Sequence, residues 1–71
     1  MDRLAVNVRA LREAKGWSQA ELSERSKVPQ SSIHYIEAGS RRPRIDTLQS
    51  LATALGVTVA ELLDESDGHV A

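Results

Sequence analysis

Apolar residues recur along this chain at helical spacing, and no stretch alternates convincingly with a period of two. Leu4, Val8 and Leu11 stand at i, i+4 and i+7, which predicts a first helix from about Asp2 to Lys15, stopped by Gly16. Ser18 and Glu21 have capping-box spacing: the hydroxyl can hold the amide of Glu21, and the carboxylate can reach back to the amide of Ser18. Trp17 and Leu22 flank that cap as a hydrophobic staple, so a second helix runs to about Ser26. Lys27-Val28-Pro29 makes a short connection, and Pro29, with φ already near the helical value, is expected in the first turn of a third helix, Gln30 to Ala38, ended by Gly39. A fourth helix covers about Ile45 to Leu55, with Leu48, Leu51, Ala52 and Leu55 inward and Gly56 as its stop. Thr58 with Glu61 and Val57 with Leu62 repeat the box and the staple, so a fifth helix covers Val59 to about Leu63.

The expected architecture is therefore all-α. Residues 1–65 form one domain and 66–71 a polar, fraying tail, with no internal repeat and no second domain. At 71 residues the core is thin, because a domain of this size buries only about 60% of its unfolded surface. Without cysteine there is no disulfide framework and no thiolate metal site, and His34 and His69 are too far apart in sequence to suggest a metal centre. No apolar run reaches the ~18 residues of a membrane span, and the first residues lack a signal-peptide core, so a cytoplasmic location is expected. The net charge of −1 argues at first against nucleic acid. Its distribution reverses that: Arg9, Arg12, Lys15, Arg25, Lys27, Arg41, Arg42 and Arg44 precede Ile45, whereas Asp46, Glu61, Asp64, Glu65 and Asp67 follow it.

Two short helices joined by about three residues make a helix-turn-helix unit. On a helical wheel Ile33 and Ile36 fall on one side of the third helix with Glu37 beside them, while Ser31, His34, Tyr35 and Ala38 fall opposite and Gln30 lies on the flank. That outer face is uncharged, short and rich in hydrogen-bonding groups. Such side chains suit the edges of base pairs, since a carboxamide matches adenine and a hydroxyl several bases. The loop 39–44 that follows is basic.

At Gly-Trp-Ser-Gln-Ala-Glu-Leu (16–22), Ile-Glu-Ala-Gly (36–39) and Leu-Gly-Val-Thr-Val-Ala-Glu-Leu-Leu (55–63) the chain resembles the Cro and phage-repressor (xenobiotic-response-element type) helix-turn-helix proteins, and the resemblance extends from Leu4 to Leu63. It implies a compact five-helix, lambda-repressor-like fold with helices two and three as the motif. It also implies a prokaryotic or phage repressor that binds double-stranded DNA as a homodimer through its C-terminal helices, in the cytoplasm at the nucleoid. By resemblance Gln30, Ser31 and Tyr35 read bases. Gln19 holds a phosphate and braces Gln30, and Ser18, His34, Arg41, Arg42 and Arg44 serve the backbone or support the readers. Arg12 and Glu37 match a buried ion pair between helices one and three. No cofactor, metal, membrane or small-molecule ligand is implied, and no nucleophile motif suggests an enzyme.

Three positions depart from the family pattern. Ser23 replaces alanine, is only slightly larger and can bond back to its own helix, so it is expected to be tolerated. Lys27 replaces the glycine of the turn, which is strained if φ is positive there. Pro29 replaces a serine cap, leaving the first amides of the third helix without a side-chain partner. An alternative of another class stands beside the DNA reading: a protein-interaction module such as an antitoxin, a restriction-modification controller or a coactivator subunit, marked by partner binding without salt-sensitive DNA affinity.

Overall fold

A computed structural model describes residues 3–63. The expected tail 66–71, Asp2 and the acidic residues Asp64, Glu65 and Asp67 lie outside the described residues. Five helices follow one another: α1 (Arg3–Ala14), α2 (Gln19–Ser26), α3 (Gln30–Glu37), α4 (Ile45–Leu55) and α5 (Val59–Leu62). No strand occurs among the described residues.

One apolar cluster takes side chains from all five helices, with Val8, Leu22, Ile33, Ile36, Leu51 and Leu62 fully buried and Leu11, Trp17 and Val57 packed at its edge. The short α5 is held against α1 by the Asn7 amide, which donates to the Leu62 carbonyl at 2.9 Å. That bond satisfies a carbonyl the helix end would otherwise leave without a partner. At the other end of α5 the expected capping box is complete: Thr58 Oγ1 accepts from the Glu61 amide and Glu61 Oε1 from the Thr58 amide.

The ends of α1 and α4 close alike. Trp17 N–H reaches the Arg12 carbonyl at 3.2 Å and Val57 N–H the Ala52 carbonyl at 2.9 Å. These bonds require the intervening Gly16 and Gly56 to be left-handed, at φ 73° and 77°. Helix α2 ends in the same backbone conformation without glycine. Lys27 has φ 64°, and its N–H bonds to the Ser23 carbonyl at 2.8 Å. An L-residue pays about 1–2 kcal/mol for that conformation, while a glycine there would regain about 0.4–1 kcal/mol of unfolded-chain entropy. Lys27→Gly is therefore expected to raise stability by about 0.5–1 kcal/mol in denaturant melts. An unchanged or lower midpoint would show that the lysine is not strained.

Three local expectations change. Only half of the box at Ser18 forms: Ser18 Oγ accepts from the Glu21 amide at 3.0 Å, while the Glu21 carboxylate takes Arg25 Nε at 2.6 Å, one turn ahead on the same face. Pro29 stands at the N-cap of α3, with ψ 140°, one residue before the first turn, and makes no side-chain cap, as expected of a proline in place of the serine. Ser23 does not bond back within α2; its hydroxyl donates to the Val28 carbonyl at 2.6 Å, across the turn. The hydroxyl that does bond back is Ser26, which donates to the Leu22 carbonyl at 2.7 Å and accepts from the Val28 amide at 3.2 Å. Two serines thus hold Val28, the middle residue of the α2–α3 connection, by its carbonyl and its amide, so the connection is fixed by hydrogen bonds as well as by packing.

Candidate nucleic-acid interface

Burial of Ile33 and Ile36 sets the rotation of α3, and everything on its opposite side follows. Gln30, Ser31, His34, Tyr35 and Ala38 are all exposed. Tyr35 is 44% exposed, large for an aromatic ring in so small a domain. The His34 ring meets it edge-on, 5.4 Å between centroids. The chain then leaves α3 through a tight reversal, Ser40 N–H bonding to the Tyr35 carbonyl at 2.9 Å. That reversal brings the Arg41 guanidinium back over the Tyr35 ring, 5.1 Å from its centroid, a favourable cation–π position. Arg41, Arg42 and Arg44 line a cleft between α3 and α4 together with Ser32 and Thr47. Arg44 is the N-cap of α4 and offers no side-chain cap there; the Asp46 carboxylate takes the Thr47 amide at 2.8 Å. The polar outer face of α3 and the basic loop therefore lie side by side.

Behind α3 lies a second constellation. Arg12 Nε and Nη2 donate to Glu37 Oε2 and Oε1 at 2.7 and 3.0 Å, a two-pronged bond between α1 and α3. The two side chains are only 11% and 5% exposed. The third nitrogen, Nη1, donates to the Trp17 carbonyl at 2.7 Å. The Glu37 bond holds the Arg12 pKa above its ordinary value against the opposing effect of burial. Trp17 packs on the core, with the Arg25 guanidinium 4.4 Å and the Lys15 ammonium 5.3 Å from its ring. Its sequence reading as a staple requires no other role.

Gln19 departs from its expected place. Its amide donates not to Gln30 but to Glu37 Oε1 at 3.1 Å, at the opposite end of α3. Position explains this: Gln19 opens α2 beside the α1–α3 seam, where the nearest strong acceptor is the carboxylate already gripped by Arg12. Ser18, next to it, has its oxygen committed to the Glu21 amide but keeps a hydroxyl proton to donate. Sequence reasoning did not single out Ser26 or the Gln19–Glu37 bond. A serine in the last turn of a helix before a short connection was the available signal for the first; nothing local marked the second.

A sequence profile of the helix-turn-helix family matches residues 8–62. The chain belongs to the helix-turn-helix family. Among curated relatives, an uncharacterized HTH-type transcriptional regulator of Sinorhizobium fredii, y4dJ, is 41% identical over 61 residues, covering 86% of this chain and 79% of that protein. An uncharacterized HTH-type transcriptional regulator of Mycobacterium tuberculosis, Rv0023, is 36% identical over 63 residues, and there the match spans only 25% of the relative. Among solved structures, the restriction-modification controller protein C.AhdI of Aeromonas hydrophila superposes with a TM-score of 0.81 at 34% identity, over 86% of this chain and 92% of that one. A SinR protein/SinI protein complex contains a chain that superposes with a TM-score of 0.87 at 30% identity, over 96% of this chain and 67% of that one. The chain is thus a helix-turn-helix domain of a DNA-binding family of transcriptional regulators, with a five-helix repressor-like fold. Among the described residues no helix is long and apolar enough to cross a membrane.

Proposed function

We propose that this helix-turn-helix chain is a sequence-specific, non-enzymatic binder of double-stranded DNA that represses transcription as a homodimer on a pseudo-palindromic operator. The observation that carries the reading is α3 itself: buried isoleucines fix it in place while Gln30, Ser31 and Tyr35 face outward beside an arginine-lined loop. Gln30, Ser31 and Tyr35 select bases in the major groove. Ser18, Gln19, His34, Arg42 and Arg44 hold phosphates, and Arg41, stacked on Tyr35, works at the border of the two sets. Because Pro29 supplies no cap, the first amides of α3 are open to a phosphate oxygen. Two-fold symmetry sets half-sites about 34 Å apart, with α5 and the acidic residues after it as the dimer surface. The protein works in the cytoplasm at the nucleoid and needs no cofactor.

Selection of bound sequences from random duplex DNA tests this. Enrichment of a palindrome supports specificity and two-fold symmetry together; no enrichment removes the reading. A second reading, a restriction-modification controller or other interaction module, is favoured by the similarity to C.AhdI and to a chain of the SinR protein/SinI protein complex.

The division of labour has its own checks. Gln30→Ala is expected to weaken binding to the selected site by about 1–3 kcal/mol and to leave random DNA nearly unaffected. Arg42→Ala is expected to weaken all duplexes alike and to reduce the slope of log affinity against log salt by about one for each protomer bound, about two for the dimer. Titration by fluorescence anisotropy over a series of salt concentrations measures both. Equal losses from both variants on both duplexes would refute the separation of readers from phosphate contacts.

A further inference from the structure

The Arg12–Glu37 pair has a third member, and the geometry points to a role for it beyond holding helices together. Glu37 Oε1 is shared: it accepts from Arg12 Nη2 at 3.0 Å and from Gln19 Nε2 at 3.1 Å. A carboxylate has about four lone-pair sites, so the two-pronged arginine bond leaves room for this further donor. A carboxamide nitrogen carries two hydrogens in a fixed plane. With one spent on Glu37, the direction of the other is set. Gln19 is half-buried, at the first position of α2, and lines a surface cleft with Arg9, Arg12, His34, Glu37 and Ala38. The cleft lies beside the exposed face of α3, on the side away from the arginine loop.

Charge decides whether such an arrangement suits a phosphate. A bare carboxylate there would repel the DNA backbone. Arg12, bonded through both prongs, neutralises Glu37 and adds no net charge of its own to the cleft. What the cleft presents next to α3 is then an oriented neutral donor, with Arg9 at the rim itself paired with Glu13 at 3.1 Å. We propose that Glu37 is a positioning residue for DNA: it fixes the Gln19 carboxamide so that its second N–H meets a backbone phosphate, with Arg12 as the counter-charge that permits this. The inference rests on the DNA-binding reading above and deepens it. It moves the brace of Gln19 from the first residue of α3 to its last, and so couples the grip on the backbone to the seating of the whole reading helix.

The test compares the cost of Gln19→Ala in two backgrounds, the natural chain and Arg12→Met/Glu37→Met. The double change removes Glu37 without leaving a buried charge unpaired. Binding is read by anisotropy on a selected duplex of about 30 base pairs, long enough for two half-sites, at a temperature where melts show every variant folded. In the natural chain Gln19→Ala is expected to cost about tenfold in affinity for each half-site, about a hundredfold for the bound dimer, since one hydrogen bond to a charged group is lost from each protomer. Its salt slope should be unchanged, because no charge is lost. In the double background the same change should cost less than about twofold for each half-site, because the amide is no longer aimed. A purely structural Glu37 would leave the cost of Gln19→Ala the same in both. That result, or no cost in the natural chain, overturns the proposal while leaving DNA binding intact. Failure of the natural chain to bind any duplex removes both readings. If the double variant does not fold, the natural chain alone decides through its Gln19 side-chain amide resonances. One of the two proton signals should move on DNA saturation; two unmoved signals overturn the proposal.

Discussion

Leu22→Ala is expected to lower the unfolding free energy by about 3–5 kcal/mol, with a fall of about 4–8 °C in the melting midpoint for each of them. Leu22 is 0% exposed and belongs to the cluster shared by all five helices. Removing its outer carbons loses their transfer free energy and leaves a void that helices held by short connections refill only in part. A chain of 71 residues has on the order of 4–10 kcal/mol of total stability, so the loss takes about a third of it or more. The loss is also local to function, because Leu22 sits where α2 supports α3. Leu22→Met, which nearly conserves volume, should cost less than about 1.5 kcal/mol. Urea melts of the two variants check the difference. If alanine costs no more than methionine, the site collapses freely and the packing of the motif is set elsewhere.

The helix ends were legible from sequence because the groups that make them are neighbours. Gly16 and Gly56 close their helices, and Thr58 with Glu61 forms the box, through bonds spanning three to five residues. The rotation of α3 was legible as well, since two isoleucines three apart define one face of a helix. Errors arose where one group had two partners of similar merit. Glu21 could reach the Ser18 amide or Arg25, both one turn away, and the opposite charge won. Ser23 could bond within α2 or across the turn, and the Val28 carbonyl, facing it over the connection, took the proton. Pro29 stands at the cap position that its replacement of a serine implies, one residue before the first turn. The Gln19 bond was out of reach for a different reason. Both ends of α3 are compatible with its spacing, and only the placement of α1, which puts Arg12 on Glu37, decides between them.

The Arg12–Glu37 pair separates two ideas often merged, the worth of an ion pair and the cost of breaking it. Arg12→Ala is expected to cost about 3 kcal/mol or more. It leaves Glu37, 5% exposed, with Gln19 as its remaining donor, and removes the donor to the Trp17 carbonyl. Glu37→Ala should also be costly, since it leaves a guanidinium that is 11% exposed without its two-pronged acceptor, with the half-exposed Glu13 carboxylate at 4.0 Å as the remaining counter-charge. Arg12→Met/Glu37→Met strands neither charge and fills the seam with apolar volume, so it should recover much of either loss and be non-additive by about 2 kcal/mol or more. Recovery should still be incomplete, because the Trp17 carbonyl and the Gln19 amide each lose a partner, about 1 kcal/mol apiece. Thermal and urea melts of the two single variants and the double variant measure the cycle. If the single losses simply add in the double variant, the two residues act independently and the pair does not clamp α1 to α3. Full recovery would instead mean that the bonds to Trp17 and Gln19 add nothing to stability, and the network would then be kept for the placement of Gln19 alone.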